Sequence, residues 1–411
     1  MTLEQRLTTS YLQFKQNHSE EEHQRFMNLI KEVHENAWDT IEGKQSGLDK
    51  AEFAHALSII APEQSTRGQL PRTCNALPTK VEKDGSLLGT SKWELLDPGW
   101  VEAVAAWLDH FDHQADFNTN PATVTIPDRA SLCIAGDWGT GYWRNNPLSP
   151  AEKVRNAMVA LQPDLYIHLG DVYYAGSADQ EQANLVALWP TGTEGIFTLN
   201  SNHEMYDGAI AYFKALQTTF KQQQGCSYFA LANNNWLIVG LDSSYHADKW
   251  NLFMDGDIGL AQQQWLAGLP AKQGIILLSH HNGYDLQGRN QTALYQQVME
   301  QLKGSNGSLR YDRVVWYWGH LHNVAAYAPL SFSGIPVNTR CIGHGAVPYG
   351  NTSELEDAPQ VLWYEKENAN DPAIPVRVLN GFAQLRLEGS DLIETLVDEN
   401  GSVKWEHAPS T

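Results

Sequence analysis

SLCIAGDWG at residues 131–139 and LYIHLGDVYY at residues 165–174 follow one pattern. Each opens as a short apolar run and closes on Gly-Asp, the reading of a buried strand that ends in a turn. Between them Pro150 to Leu161, PAEKVRNAMVAL, repeats its apolar positions with helical period, and Pro150 suits the first turn. The result is a strand, helix, strand unit. Further β-rich runs at Ile196–Leu199, Trp236–Leu241, Ile275–Leu278 and Val314–Trp318 extend the alternation. The fold class expected is α/β, a sandwich whose strand ends feed loops on a common side, where open α/β sheets place their ligands. Near the C-terminus, Ala383–Leu387, Ile393–Val397 and Val403–Trp405 read as a strand meander turning at Glu399-Asn400-Gly401 and closing a sheet edge.

Upstream the texture changes. From Leu3 to Glu35 the residues Leu3, Leu7, Tyr11, Phe14, Phe26, Leu29, Ile30 and Val33 recur at three- and four-residue intervals, as on amphipathic helices. Two more helices are predicted at Asp49–Ile60 and Pro98–Phe111, with a loop from Pro62 to Ser91. Ile41 to Glu52 has part of a calcium-loop spacing, but Ile41 stands where the first aspartate is needed, and the reading is rejected. The connector NTNPATVTIPD, Asn118 to Asp128, marks the expected boundary between a helical region, residues 1–120, and an α/β domain, residues 121–411.

The chain carries 28 Lys and Arg against 48 Asp and Glu, a net charge of −20, which disfavours nucleic acid and anionic lipid as partners. An anionic substrate must be drawn by local positive charge. The four cysteines, Cys74, Cys133, Cys226 and Cys341, form no CxxC pair, so neither a disulfide framework nor a cysteine zinc site is indicated. Neither a leader-like apolar core nor a run of membrane-spanning length is present, and the expectation is a cytoplasmic protein without a membrane span.

Behind the predicted strands stand Gly136-Asp137-Trp138-Gly139, Gly170-Asp171-Val172-Tyr173-Tyr174, Ser201-Asn202-His203-Glu204, Ser279-His280-His281 and Gly319-His320-Leu321-His322. Taken singly, each has a plain explanation. Gly-Asp is a common turn, Asn-His occurs in many loops, and paired histidines can be surface or core. His320 and His322 say more, because i and i+2 on an extended chain face one way. Two carboxylates, an amide and several imidazoles at successive strand ends suit a dinuclear site for hard or borderline cations.

In this order the segments resemble the calcineurin-like metallophosphoesterases, and among them the purple acid phosphatases, whose pattern is GDxG, GDxxY, GNH, VxxH and GHxH. The resemblance covers roughly Ser131 to Gly350 and implies a four-layer α/β/β/α sandwich. Gly139 stands where the wider superfamily has a histidine ligand, and Tyr174 where the branch has tyrosine. It further implies that Asp137, Asp171, Tyr174 and His322 hold one metal while Asp171, Asn202, His280 and His320 hold the second. A tyrosinate favours a trivalent ion, so the expected cofactor is Fe(III) with a divalent iron, zinc or manganese. Two such ions activate water for phosphoester cleavage. His203, after the asparagine, is the expected proton donor to the leaving group. The implied function is hydrolysis of small phosphomonoesters. The alternatives are a phosphodiesterase, a catalytically silent scaffold, or a redox use of the ferric site. Departures are Ser201 in place of glycine and Leu277 in place of valine. Of the two adjacent histidines, His280 has the ligand register, leaving His281 for the pocket rim. His344, in a glycine-flanked strand end, is a possible substrate contact. Trp138, Tyr142, Trp143 and Arg144 either wall the pocket or pack. His168 reads as a core histidine, and Asp242 as either a turn or a site residue.

Overall fold

A computed structural model describes residues 1–44, 51–60, 67–68, 70, 77–139 and 148–407. The alternation read from the sequence folds as two sheets packed face to face. In the first, Arg129–Ala135, Leu165–His168 and Gly195–Thr198 run parallel, and Gly381–Glu388 joins the free side of Arg129–Ala135 antiparallel, followed outward by Asp391–Asp398 and Val403–His407. In the second, Trp236–Leu241, Gly274–Ser279, Arg313–Trp318 and Ile335–Ile342 are parallel neighbours, flanked by antiparallel strands. The C-terminal meander is thus an extension of the first sheet, on the edge beside the strand that leads to Asp137.

Alternation of side chains along each strand makes the layers. Leu132, Ile134, Ile167 and Phe197 of the first sheet meet Ile238, Ile276, Leu278 and Val315 of the second in a core closed to water. The opposite face of the second sheet buries Leu277 and Trp316 under helices Gly259–Gly268 and Ala293–Gln301 through Leu266, Leu294 and Val298. On the far side of the first sheet, Cys133 and Tyr166 lie under Val154 and Met158 of helix Pro150–Ala160. That is the four-layer α/β/β/α sandwich. Helix Pro150–Ala160 starts with a capping box in which Ser149 accepts from Glu152 N, with proline in the first turn.

Helices Leu3–Asn17, Glu20–Ile41, Ala51–Ile60 and Trp100–Asp109 occupy the predicted N-terminal stretches. The first two open with capping boxes at Thr2 and Ser19. Their apolar faces join a cluster that runs through Trp100 and Trp107 to Tyr173, Tyr174 and Tyr206 at the strand-end loops. Within the stretch expected to be loop, Lys80–Val81 and Leu87–Leu88 pair as a short hairpin, turned by Asp84-Gly85 with Gly85 at φ +91°. Residues 45–50 of the rejected calcium loop, Cys74, and Tyr142, Trp143 and Arg144 lie outside the described residues. Among those described, Cys133, Cys226 and Cys341 are buried and free, and no helix is long and apolar enough to cross a membrane.

One ion pair ties the two sheets together. Arg340 of one donates through Nε and Nη2 to the two oxygens of Glu394 in the other, each at 3.1 Å, with both side chains 1% exposed. Tyr317 donates a short hydrogen bond to the same carboxylate, and Trp405 covers the guanidinium at 4.8 Å. Burial raises the Glu394 carboxyl, but the charge of Arg340 outweighs that and holds it below its usual range. Glu394→Ala leaves Arg340 buried without its partner, and should cost about 3–5 kcal/mol in urea unfolding. Replacing both residues by apolar ones of similar volume should restore most of that loss.

Candidate metal centre

The parallel strands of both sheets end at one edge, and the residues after them form the site. Asp137 follows Arg129–Ala135, Asp171 follows Leu165–His168, Asn202 follows Gly195–Thr198, His280 follows Gly274–Ser279, and His320 and His322 follow Arg313–Trp318. Asp137, Asp171 and His280 are fully buried and present ligand atoms that all lie within 4.8 Å of one another. Nε2 of His280 lies 2.9 Å from Oδ1 of Asn202 and 3.2 Å from both Oδ1 of Asp171 and Nδ1 of His320. Nε2 of His322 lies 3.2 Å from Asp171 Oδ2 and 3.3 Å from Asp137 Oδ1. Six of the seven expected ligands, namely Asp137, Asp171, Asn202, His280, His320 and His322, are therefore brought together.

Hydrogen bonding on the outer side aims these groups inward. His280 Nδ1 donates to the Leu169 carbonyl at 2.9 Å, which leaves the Nε2 lone pair facing the cluster. Asn202 Nδ2 donates to the Tyr206 hydroxyl at 3.0 Å, so its oxygen also points in. Among the described residues none donates a hydrogen bond to Asp137 Oδ1 or Asp171 Oδ1. Buried lone pairs that converge without donors fit cations, since no described residue satisfies them. Burial and the neighbouring Asp171 push the Asp137 carboxyl well up. Burial acts likewise on Asp171, but His203, His280 and His322 outweigh it and hold that carboxyl well below its usual range. Burial presses His280 down to about 3, and His320 also well below its ordinary value. Neutral imidazole is the ligating form.

The backbone is bent to make this possible. Asp137, Asp171, His320 and His322 take φ of +58°, +74°, +66° and +43°, a left-handed conformation that costs a non-glycine residue energy and gathers at functional sites. Gly319 gives room: a Cβ there would stand 2.4 Å from Asp137 Oδ2, which accepts from the amide of His320 at 3.0 Å. Ser201 needs no such freedom. At φ −136° and ψ 177° it is extended, so serine fits where the family has glycine, and its hydroxyl accepts from the amide of His203 at 3.1 Å.

Three expectations are corrected. Tyr174 is not among the converging groups: its hydroxyl donates a short hydrogen bond to Asp97, and its ring stacks on Trp93 at 4.9 Å. The phenol facing the cluster is that of Tyr173, 2.9 Å from His322 Nε2. Placement of the expected substrate contact His281 at the rim also fails, because its ring is 1% exposed and is held between the Ser243 hydroxyl at 2.9 Å and the Phe253 carbonyl at 2.8 Å. His344 is buried with Nε2 directed toward Gly381, on the side of the first sheet; its loop serves the site through the backbone, Ala346 N and Val347 N donating to the Asp137 carbonyl at 3.0 and 3.1 Å. His203 lies beside the cluster. Its Nδ1 donates to the Tyr174 carbonyl at 2.9 Å, its ring stacks on Tyr173 at 4.1 Å, and Nε2 lies 3.8 Å from Asp171 Oδ2. Trp138 packs, donating to the Asn184 carbonyl at 2.8 Å. His168 is a core histidine bonded to Thr198, and Asp242 accepts from the amides of its own turn, Ser244 and Tyr245.

The sequence reading missed Tyr206, Asp97 and Trp100. Tyr206 stands four residues after Asn202 on one helical turn, a spacing that was available. Asp97 and Trp100 come from the N-terminal region and carry no local sign of the site. Gly319→Ala should displace the Asp137 carboxylate and weaken metal uptake by about 10- to 100-fold, by analogy with loss of a group that orients a ligand. Titration of the metal-free protein with zinc or manganese, alongside unchanged circular dichroism, checks this.

A sequence model of the family described as calcineurin-like phosphoesterase matches residues 131–324. No curated protein matches the chain. Among solved structures, the purple acid phosphatase PPD1 from seeds of yellow lupin (Lupinus luteus) is similar over 69% of this chain and 54% of its own, with 14% identity and a TM-score of 0.43. The chain spans about half the length of that protein. GAP50, the anchor in the inner membrane complex of Plasmodium, is similar over 68% of this chain and 88% of its own, with 12% identity and a TM-score of 0.46. For PhoD the shares are 72% and 73%, with 12% identity and a TM-score of 0.45. The matched segment opens two residues into the strand that leads to Asp137 and closes just past His322, and over that segment the chain is similar to the calcineurin-like phosphoesterases.

Proposed function

We propose that this chain is a two-metal phosphoesterase of the purple acid phosphatase type, acting on small phosphomonoesters. The observation that carries the reading is the convergence of Asp137, Asp171, Asn202, His280, His320 and His322, with two carboxylate oxygens that find no donor among the described residues. Asp171, within reach of both His280 and His322, would be shared by the two ions, Asp137 and His322 helping to hold one and Asn202, His280 and His320 the other. With Tyr174 turned away, the carboxylate, amide and imidazole donors suit two divalent ions, among them zinc, manganese and ferrous iron. Ferric iron in one position is the second reading, favoured by the phenol of Tyr173 beside His322. A visible charge-transfer colour on iron loading, lost in Tyr173→Phe, separates the two.

When bound, such a pair lowers the pKa of a coordinated water and neutralises charge on the phosphoryl oxygens. The side chains do the rest. Asp137 and Asp171 bring two negative charges against four positive ones, so the local field attracts phosphate in a chain of net charge −20. His203 is set to act on the leaving oxygen: Nδ1–H is tied to a carbonyl, and Nε2 faces the cluster. On the side of His322 a narrow cleft of about 20 Å³ is lined with it by Leu87, Trp93, Trp100, Tyr173 and Tyr349. Half of that wall comes from residues 1–120, which we assign as a cap on the domain formed by residues 121–411.

The test is metal analysis of purified protein combined with a phosphate-release screen across monoesters and diesters. Chelation should abolish turnover, and a divalent ion should restore it; a chelator-insensitive protein or one inert to every ester contradicts the reading. His203→Ala should lower kcat on alkyl phosphates by about 10²- to 10⁴-fold, the usual range for a lost general acid, with metal content intact.

A further inference from the structure

Between the N-terminal region and the site runs a chain of three residues, Asp97, Tyr174 and His203, of which the first lies outside the phosphoesterase motifs. Asp97 sits in the turn before helix Trp100–Asp109, 5% exposed, and its carboxylate accepts from the amides of Trp93 at 2.6 Å and Gly99 at 2.9 Å and from the hydroxyl of Tyr174, 77 residues away. Tyr174 is gripped on its faces as well. Trp93 stacks on one side at 4.9 Å, Trp100 meets the ring edge-on at 5.0 Å, and Gly99 lies so close that a Cβ there would be 2.7 Å from the phenol carbon. The carbonyl of this immobilised residue accepts the hydrogen bond from Nδ1 of His203, and Trp100 also packs against the His203 ring at 5.5 Å.

A carbonyl has no proton to give, so this bond keeps a proton on Nδ1 of His203 in both charge states and turns Nε2 to the cluster, where the imidazolium carries the proton to be donated. We propose that Asp97 is a positioning residue for His203, acting through Tyr174, so that residues of the N-terminal region complete the active site. The inference rests on the reading of His203 as the proton donor to the leaving group. Proton transfer in the transition state demands a donor held at hydrogen-bond range, and a displacement of about 1 Å can cost 10²-fold. The loop after Asp171 supplies the carbonyl, and the Asp97–Tyr174 bond decides where that carbonyl stands.

Tyr174→Phe removes one hydroxyl and keeps the stacked ring, so it tests the link without emptying the core; Asp97→Ala is the companion. Help from a leaving-group acid matters most where the leaving group is poor. In the full-length, metal-loaded protein both variants should lose about 10- to 100-fold in kcat on an alkyl phosphate, with KM and metal content unchanged and 4-nitrophenyl phosphate hydrolysed within a few fold of the parent. An equal loss on both substrates, no loss on either, or a lost metal ion in Tyr174→Phe overturns the proposal. A readout that needs no turnover is the ¹⁵N spectrum of histidine-labelled protein. The Nδ1–H signal of His203, assigned by its absence in His203→Ala, should shift or broaden in Tyr174→Phe; an unmoved signal overturns the link even if no ester is cleaved. Should that signal move while the parent proves inert to every ester, the link stands and the phosphoesterase reading falls.

Discussion

Two carboxylates closed off from water, with imidazoles turned toward them, set the terms for the rest of the molecule. Bringing Asp137 and Asp171 together in a low-dielectric interior is costly unless positive charge accompanies them. Their environments pull them in opposite directions. Burial and its neighbour push Asp137 toward the protonated form, while the histidines around Asp171 override burial and hold it ionised. Around this pair the fold supplies lone pairs of fixed direction: Leu169 O turns His280, and Tyr206 turns Asn202. A site of that kind is prepared before any ion arrives, so little ordering remains for binding to accomplish.

Preparing it requires strain, and the strain sits where the chemistry does. Four of the convergent residues, Asp137, Asp171, His320 and His322, have left-handed backbones. The surroundings over-determine those conformations. Asp137 N donates to the Gly170 carbonyl at 2.9 Å, its own carbonyl receives two amides from the loop after Ile335–Ile342, and its side chain receives a third from His320. The loop after Ile335–Ile342 is in turn tied down by Asn380, which donates to the carbonyls of His344 and Val347, and Asn380 is fixed by the buried Arg377 and Glu399. Rigidity thus reaches the site from the C-terminal strands.

The sandwich was legible because its signals are local. Short apolar runs ending in Gly-Asp, a proline-started amphipathic helix and a repeated strand, helix, strand order are properties of neighbours in the chain, and the observed strands differ from the expected ones by a residue or two. The convergence of the six side chains could be read for the same reason: each follows a strand, and the order of the strands carries them to one edge. Tyr174 could not be read, because its motif spacing says nothing of Asp97, which competes for its hydroxyl from a distant turn. His281 and His344 looked available in the sequence, but adjacency to a ligand did not reveal that Ser243, Phe253 and Gly381 enclose them. The hairpin at Asp84-Gly85 was overlooked although its turn dipeptide is plain.

The strand that leads to Asp137 has Leu165–His168 on one side, but its other neighbour, Gly381–Glu388, is synthesised long after it. Until that segment arrives, a growing polypeptide displays Arg129–Ala135 as a raw border with its amides and carbonyls unspent, the kind of surface that invites pairing with foreign strands. A product cut before Gly381 would carry the same hazard permanently, so this late-made strand guards against aggregation as much as it widens a sheet.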